Sequence, residues 1–228
     1  MLPSAVTAGI IVVLAGYFKA FMPSSAVTPT KTALLTGELE PTNEWYAIAK
    51  ITGIKLSESL RIQHGFDAIS LMPTNLYGPG DNYHPTNSHV LPALNSRFHE
   101  AAEANSPSVS CWGTGSPLRE FLHVDDLAEA CVFALEHWSP APGEFTYLNV
   151  GTGVDLKIRD LADMIASMIG FTGSTLWSDC ELDGTPKKQL NVDSMTNLGW
   201  QARITLEEGL KNTIKNFKEQ YASRISLS

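Results

Sequence analysis

What most limits the folds open to this chain is an alternation of short apolar runs with stretches of helical periodicity, separated by Gly and Pro clusters. Phe66-Asp67-Ala68-Ile69-Ser70-Leu71-Met72, Val109-Ser110-Cys111-Trp112, Glu120-Phe121-Leu122-His123-Val124 and Phe145-Thr146-Tyr147-Leu148-Asn149-Val150 read as strands, being short and rich in β-branched and aromatic residues. Between them the apolar spacing turns helical. The first helix runs from Glu44 through Ile51, Ile54 and Leu60 to about His64, where Gly65 supplies a stop. Ser88 can cap a second helix through Val90, Leu91, Leu94 and Phe98 to about Ala104. Asp125 or Asp126 caps a third, with Leu127, Ala130, Cys131, Ala134 and Leu135 on its apolar face. Ile158, Leu161, Ala162, Ile165 and Ile169 define a fourth. The capping box Thr205-Leu206-Glu207-Glu208 opens the last, with Leu206, Leu210, Ile214, Phe217 and Tyr221 as its buried stripe. Strands that alternate with helices predict an α/β protein with a largely parallel sheet.

The punctuation carries its own information. Residues 73–87, crowded with Pro, Gly, Asn and Asp, read as one long loop without regular structure, and such loops in compact domains are often functional. Gly151-Thr152-Gly153 sits between a strand and a helix, as a dinucleotide-binding turn does. The third glycine of that fingerprint would fall at position 156, which is leucine, so a turn glycine pair is the better reading.

Charge narrows the partners. A formal net charge of -8 over 228 residues opposes binding to nucleic acid or an anionic membrane, which demand a basic surface. Any anionic ligand must be held by a few local cations. Cys111, Cys131 and Cys180 form neither a disulfide framework nor a metal pattern, which fits a reducing, cytoplasmic compartment and small buried hydrophobes. The apolar run 8–18 lacks the positive opening of a secretory signal and is short for a membrane span, which needs about 20 residues. It reads as a buried strand or helix rather than an anchor.

Few residues offer chemistry. Tyr46 and Lys50 are four apart on one helix, hence neighbours on its surface. An ammonium beside a phenol favours the phenolate and makes the hydroxyl a usable proton donor or acceptor. Most such pairs are ordinary solvated neighbours. His89 enters a helix from the long loop, where it either serves as a general acid or only packs and caps. His64, His99 and His137 lie in polar helical contexts and read as solvated, and no histidine pair has metal-ligand spacing. Arg97, Arg119, Lys187 and Lys188 are cations in an acidic chain, able to clamp a diphosphate if they converge and ordinary surface charge if they do not.

Five segments taken in order resemble the GDP-L-fucose synthase family of extended short-chain dehydrogenase/reductases. They are Pro41-Thr42-Asn43-Glu44-Trp45-Tyr46-Ala47-Ile48-Ala49-Lys50, Met72-Pro73-Thr74-Asn75-Leu76-Tyr77-Gly78-Pro79, and Asp81-Asn82-Tyr83-His84-Pro85-Thr86-Asn87-Ser88-His89-Val90. Trp112-Gly113-Thr114-Gly115 with Arg119-Glu120-Phe121-Leu122-His123-Val124-Asp125-Asp126, and Asp183-Gly184-Thr185-Pro186-Lys187-Lys188, complete the set. The resemblance spans residues 34–221. It implies an NADP(H)-dependent 3,5-epimerase/4-reductase that converts GDP-4-keto-6-deoxy-D-mannose to GDP-L-fucose as a homodimer. It makes Tyr46 the proton donor to the C4 oxygen, Lys50 its partner and the holder of the nicotinamide ribose, and His89 the acid of the epimerisations. It places Pro73, Thr74, Asn75 and Leu76 beside the nicotinamide, with His89 also against the cofactor. Asn75, Val90, Arg97, Trp112, Arg119 and Lys187 or Lys188 fall in segments that hold the GDP-sugar.

Departures from the family pattern shape the remaining expectations. The glycine-rich first half of the family's nucleotide-binding sheet has no counterpart here, so an incomplete Rossmann-type parallel sheet and weak NADPH binding by this chain alone are expected. If Ser24-Ser25-Ala26-Val27-Thr28-Pro29 matches the family's Ser-Ser-Cys-Ile-Tyr-Pro, Ser24 takes the catalytic serine's role and Ala26 replaces the epimerase cysteine. The expected division is residues 1–33 as a divergent apolar lead, 34–79 with 119–152 as the part carrying Tyr46 and Lys50, and 80–118 with 153–228 as a smaller GDP-sugar domain. A non-catalytic GDP-sugar-binding or dimer-partner protein is the rival reading, supported by Ala26 and by the missing nucleotide-binding half.

Overall fold

The computed structural model describes residues 34–36, 39, 44–85, 87–178 and 186–225, with side chains to 222. Ser24, Ala26 and Cys180 lie outside the described residues. Helices α1 (Glu44–His64), α2 (Val90–Glu103), α3 (Val124–His137), α4 (Ile158–Ile169), α5 (Asp193–Leu198) and α6 (Leu206–Ile225) alternate with strands β1 (Ser70–Pro73), β2 (Asn75–Tyr77), β3 (Ser108–Trp112), β4 (Leu118–His123), β5 (Tyr147–Val150), β6 (Asp155–Lys157), β7 (Ser174–Ser178) and β8 (Lys187–Lys188). Among the described residues, β1 pairs with β5, β2 with β4, β3 with β7, and β8 with β4, all in parallel. The pairing of β4 with β6 is antiparallel. The α/β class and parallel sheet expected from the alternation are what the chain adopts.

Three apolar clusters hold these layers. Met72 of β1, Tyr147 of β5 and Leu190 pack against Ala47 and Ile54 of α1. On the far side of the β1–β5 pair, Ile69, Leu71, Leu148 and Val150 join Leu122 of β4 and Leu127, Ala130 and Ala134 of α3. The third cluster joins Leu91, Leu94 and Phe98 of α2, Val109 and Cys111 of β3, Leu161 and Ile165 of α4, and Leu210 and Ile214 of α6. Each large apolar side chain, buried completely, stabilises the fold by roughly 1.5–3 kcal/mol. A helix turning one face to each sheet surface is the economical way to close α/β layers.

Local chemistry sets the boundaries. Gly65, at φ +63, ends α1, its N–H donating to Arg61 O at 3.0 Å. Arg61 then pairs with Asp67 and donates to Ser139 Oγ at 2.7 Å, tying the end of α1 to the segment after α3. Thr205 caps α6 as its box predicts, accepting from Glu208 N at 3.3 Å.

Several expectations yield to tertiary structure. Residues 73–87 contain regular structure after all, because Pro73 closes β1 and Asn75–Tyr77 form β2 against Phe121–His123. A three-residue strand has no periodicity to read and exists only because β4 supplies its partner. Ser88 does not cap α2; His89 occupies that position with φ -71 and ψ 166 and makes no side-chain cap. Neither Asp125 nor Asp126 caps α3. The N-cap is His123, whose ring accepts from Asp125 N at 3.2 Å, while Asp126 accepts from Arg203 N and Ile204 N at 3.1 and 3.0 Å. A strand, β6, separates the Gly151–Gly153 turn from α4. His99 is buried rather than solvated, edge-on to Phe217 and Tyr221, and that burial lowers its pKa.

Candidate active site

α1 places Tyr46 in its first turn with 41% of its surface exposed, and Lys50 Nζ lies 5.3 Å from the centre of the Tyr46 ring. The helix is apolar on two sides, which is how it can present this pair on a flank. Ala47 and Ile54 face the sheet, while Trp45, Ile48, Leu56 and Ile62 form an outer face and are 80%, 39%, 53% and 77% exposed. Three other tyrosines have no such access. Burial pushes the phenols of Tyr83 and Tyr147 up to about 12 and that of Tyr77 higher still. Tyr46 differs from them in exposure and in its cationic neighbour.

β1 runs directly into the next part of the site. Thr74 N donates to Val150 O at 3.0 Å, and two side chains converge on the carbonyl oxygen of Glu120: Thr74 Oγ1 at 3.1 Å and Asn75 Nδ2 at 2.7 Å. Pro73 is buried, Asn75 and Leu76 are half-buried, and all three lie at or just past the strand end that packs under α1. The turn anticipated around Pro73–Leu76 is therefore a kink between two short strands that belong to different pairings.

Among the four cations, one pair lies side by side in a sheet and the others have different neighbours. Arg97 of α2 stacks its guanidinium 4.5 Å from the centre of the Trp112 ring, which stands 59% exposed at the end of β3. Arg119 of β4 lies directly opposite Lys188 of β8, and Leu118 opposite Lys187. Lys187 is engaged with Asp155 at 3.3 Å, and the Arg119 guanidinium donates to Leu118 O at 2.7 Å. His89 and Val90 are exposed at the mouth of α2. The loop before them is braced: Asn82 Nδ2 donates to Asn87 O, His84 N to Asn82 Oδ1, and the Tyr83 ring lies tilted against Phe217 with centres 4.4 Å apart. His89 also acts on Asp81, whose pKa is raised by burial and drawn back by the nearby histidine.

One residue escaped notice in the sequence. Glu120 is 0% exposed and accepts three backbone N–H groups: Thr152 at 2.7 Å and Gly153 at 2.8 Å on Oε1, and Leu190 at 2.7 Å on Oε2. Burial pushes its carboxyl up and those N–H bonds pull it back, leaving it raised. The Gly151–Gly153 turn thus points its amides at an internal carboxylate, which makes it a structural turn. An acid inside the apolar run of β4 was the available signal, since an ionisable group is rarely buried without partners. Among the described residues no group of His, Cys, Asp and Glu is placed to hold a metal, and no helix is long and apolar enough to cross a membrane.

The parallel pairings and the strand-end location of these groups define a Rossmann-like α/β protein, a class that binds ligands beyond the carboxyl ends of its strands. Residues 9–151 match the NAD dependent epimerase/dehydratase family, and the chain belongs to it. The chain is 50% identical over 210 residues to a probable GDP-L-fucose synthase 1 of Oryza sativa subsp. japonica, covering 89% of this chain and 63% of that protein. It is also 50% identical over 211 residues to the GDP-L-fucose synthase of Escherichia coli K12, covering 87% and 66%. Among solved structures it resembles a GDP-mannoheptose C4 reductase of Campylobacter jejuni with NADP bound, at 32% identity and a TM-score of 0.77, covering 88% of this chain and 65% of that one. The chain therefore spans just under two thirds of the relatives it matches. The family match starts upstream of residue 34, where the motif resemblance begins.

Proposed function

We propose that this chain is a GDP-L-fucose synthase-like epimerase/reductase, taking GDP-4-keto-6-deoxy-D-mannose and NADPH. The observation that carries this reading is the exposed Tyr46 with Lys50 Nζ 5.3 Å from the centre of its ring, on a helix that packs over the β1–β5 pair. Half-identity to GDP-L-fucose synthases over most of the chain supports the same substrate.

In this reading each group has a task set by its position. Tyr46 gives its proton to the C4 oxygen of the keto sugar, and Lys50 stabilises the phenolate left behind. His89, exposed at the entry to α2, is the acid that returns protons in the epimerisations. Ser24, which lies outside the described residues, takes the catalytic serine's role that the family pattern implies. NADPH supplies the hydride when bound, with Lys50, Pro73, Thr74, Asn75 and Leu76 at its nicotinamide end and His89 nearby. The exposed phenol and the half-exposed ammonium fit that end of the cofactor. Trp112 with Arg97 receives the nucleobase side of GDP, and Arg119 with Lys188 or Lys187 its diphosphate, to which a planar guanidinium is suited. Asn75 and Val90 border the sugar.

We assign the two tasks to two sets of segments, which β4 joins by pairing with β6 and β8. Residues 34–79 with 119–152 form the cofactor side, and 80–118 with 153–228 the sugar-nucleotide side. The bare outer face of α1, Trp45, Ile48 and Leu56 with Ile62 beside them, supports a homodimer built on that helix, and the three scattered cysteines support a cytoplasmic setting. The decisive experiment mixes the protein with GDP-4-keto-6-deoxy-D-mannose and NADPH and follows cofactor oxidation and GDP-L-fucose. Turnover establishes the reading. GDP binding without turnover at any protein concentration establishes the non-catalytic alternative instead.

A further inference from the structure

We propose that Glu120 is a positioning residue that sets the Arg119–Lys188 cradle against the Tyr46 helix, and that its carboxylate governs affinity for the nucleoside diphosphate. This rests on the proposed reading of Arg119 and Lys188 as diphosphate ligands.

The geometry makes Glu120 a junction of four segments. Its backbone belongs to β4, with Arg119 before it, and its carbonyl oxygen receives Thr74 and Asn75 from the kink after β1. Its Oε1 holds the turn after β5 through Thr152 and Gly153. Its Oε2 holds Leu190, two residues beyond Lys188. Leu190 in turn is buried with Ala47 and Ile54 of α1, so the same residue that fixes the end of β8 touches the helix carrying Tyr46 and Lys50. β8 is only two residues long, and among the described residues its strand partner is β4. So short a strand draws little registry from its own pairing, and the Leu190–Glu120 bond just past its end adds to that from Leu118 N to Pro186 O and from the Lys187–Asp155 ion pair. A further brace, from Gln189 Nε2 to Gly153 O, closes the same ring of segments.

The chemistry of the carboxylate is specific. Both oxygens accept, serving donors from different segments. A glutamine has one acceptor oxygen, so in Glu120→Gln either Leu190 or the Thr152–Gly153 pair meets an NH2 group in place of an acceptor. Gly151 offers an independent lever, because a Cβ there would collide with Glu120 Oε1.

The test measures GDP binding by titration calorimetry and amide hydrogen exchange in the wild type, Glu120→Gln and Gly151→Ala. The expected result is GDP affinity lower by about tenfold in both variants, a displacement of under an ångström at a positioned site being enough for this. Exchange at Leu190 and Lys188 quickens while Phe98 and Ile165 in the core stay protected. In turnover, KM for the nucleotide sugar rises and kcat holds. Wild-type affinity in both variants despite faster exchange at Leu190 overturns the proposal, as does a kcat loss at unchanged KM. Global loss of protection in both also overturns it, by making Glu120 a general support of the fold. Absence of GDP binding by the wild type would instead sink the functional reading on which the proposal stands.

Discussion

The Tyr46 end of α1 and the Glu120 junction handle ionisable groups in opposite ways. At the first, a phenol and an ammonium sit on an exposed flank, with an uncovered indole, Trp45, beside them. At the second, a carboxylate is sealed at 0% exposure and bound by three amides. A group that exchanges protons with a ligand must stay accessible to it. A group that aligns others does best when every lone pair it uses is committed, because an uncompensated buried charge is strongly destabilising. Substitutions near Tyr46 should therefore change rates without changing stability, and those near Glu120 should do more to placement and folding.

Tyr46→Phe tests the first half most severely. Turnover should fall by about 10²–10⁴-fold, the worth of a positioned proton donor. The thermal midpoint should stay with the wild type, because the hydroxyl lies on a partly exposed ring. A midpoint that drops together with activity would erase the contrast. Leu190→Ala probes the second half, cutting a 4% exposed side chain that packs against Ala47, Ile54, Met72 and Tyr147. Urea unfolding should show a loss of about 2–5 kcal/mol. The backbone amide that Glu120 accepts survives that change, so GDP affinity should hold once the protein is folded. Trp112→Ala lies between the two. With the indole 59% exposed, calorimetric GDP affinity should weaken by about tenfold, near the 1–3 kcal/mol worth of base–aromatic stacking, and stability should stay within about 0.5 kcal/mol. Lys55→Ala, which removes the exposed pairing with Glu58 at 2.7 Å, should cost about 0.5 kcal/mol or less in chemical denaturation.

Much of the fold was legible because its helices are long and periodic. α1 ends at Gly65, α2 covers Val90, Leu91, Leu94 and Phe98, and α6 begins at its capping box. The strands with apolar runs, β3 and β5 above all, were equally plain. What escaped was short or held by tertiary partners. β2, β6 and β8 have two or three residues each, β7 holds only Leu176 and Trp177 as large apolar residues, and α5 is under two turns. The His99 reading failed because a polar sequence neighbourhood says nothing of Phe217 and Tyr221, which arrive from α6 more than a hundred residues later. The Tyr46–Lys50 pair was visible from spacing alone. Arg119 facing Lys188 was not, since register between β4 and β8 is a property of the assembled sheet. Glu120 was hidden by its own success: surrounded by strand residues, it passed as one more position in β4.

The pairing of β1 with β5 bears on how such a chain is born. Ser70 lies opposite Tyr147, and everything from α2 to α3 intervenes. At the usual pace of translation, β1 emerges roughly four to fifteen seconds before its partner exists. Throughout that interval Leu71 and Met72, which end up at 1% and 0% exposure, have no β5 to lie against. A nascent chain of this design meets its greatest hazard before β5 is made, and slower codons between α2 and β5 would lengthen it.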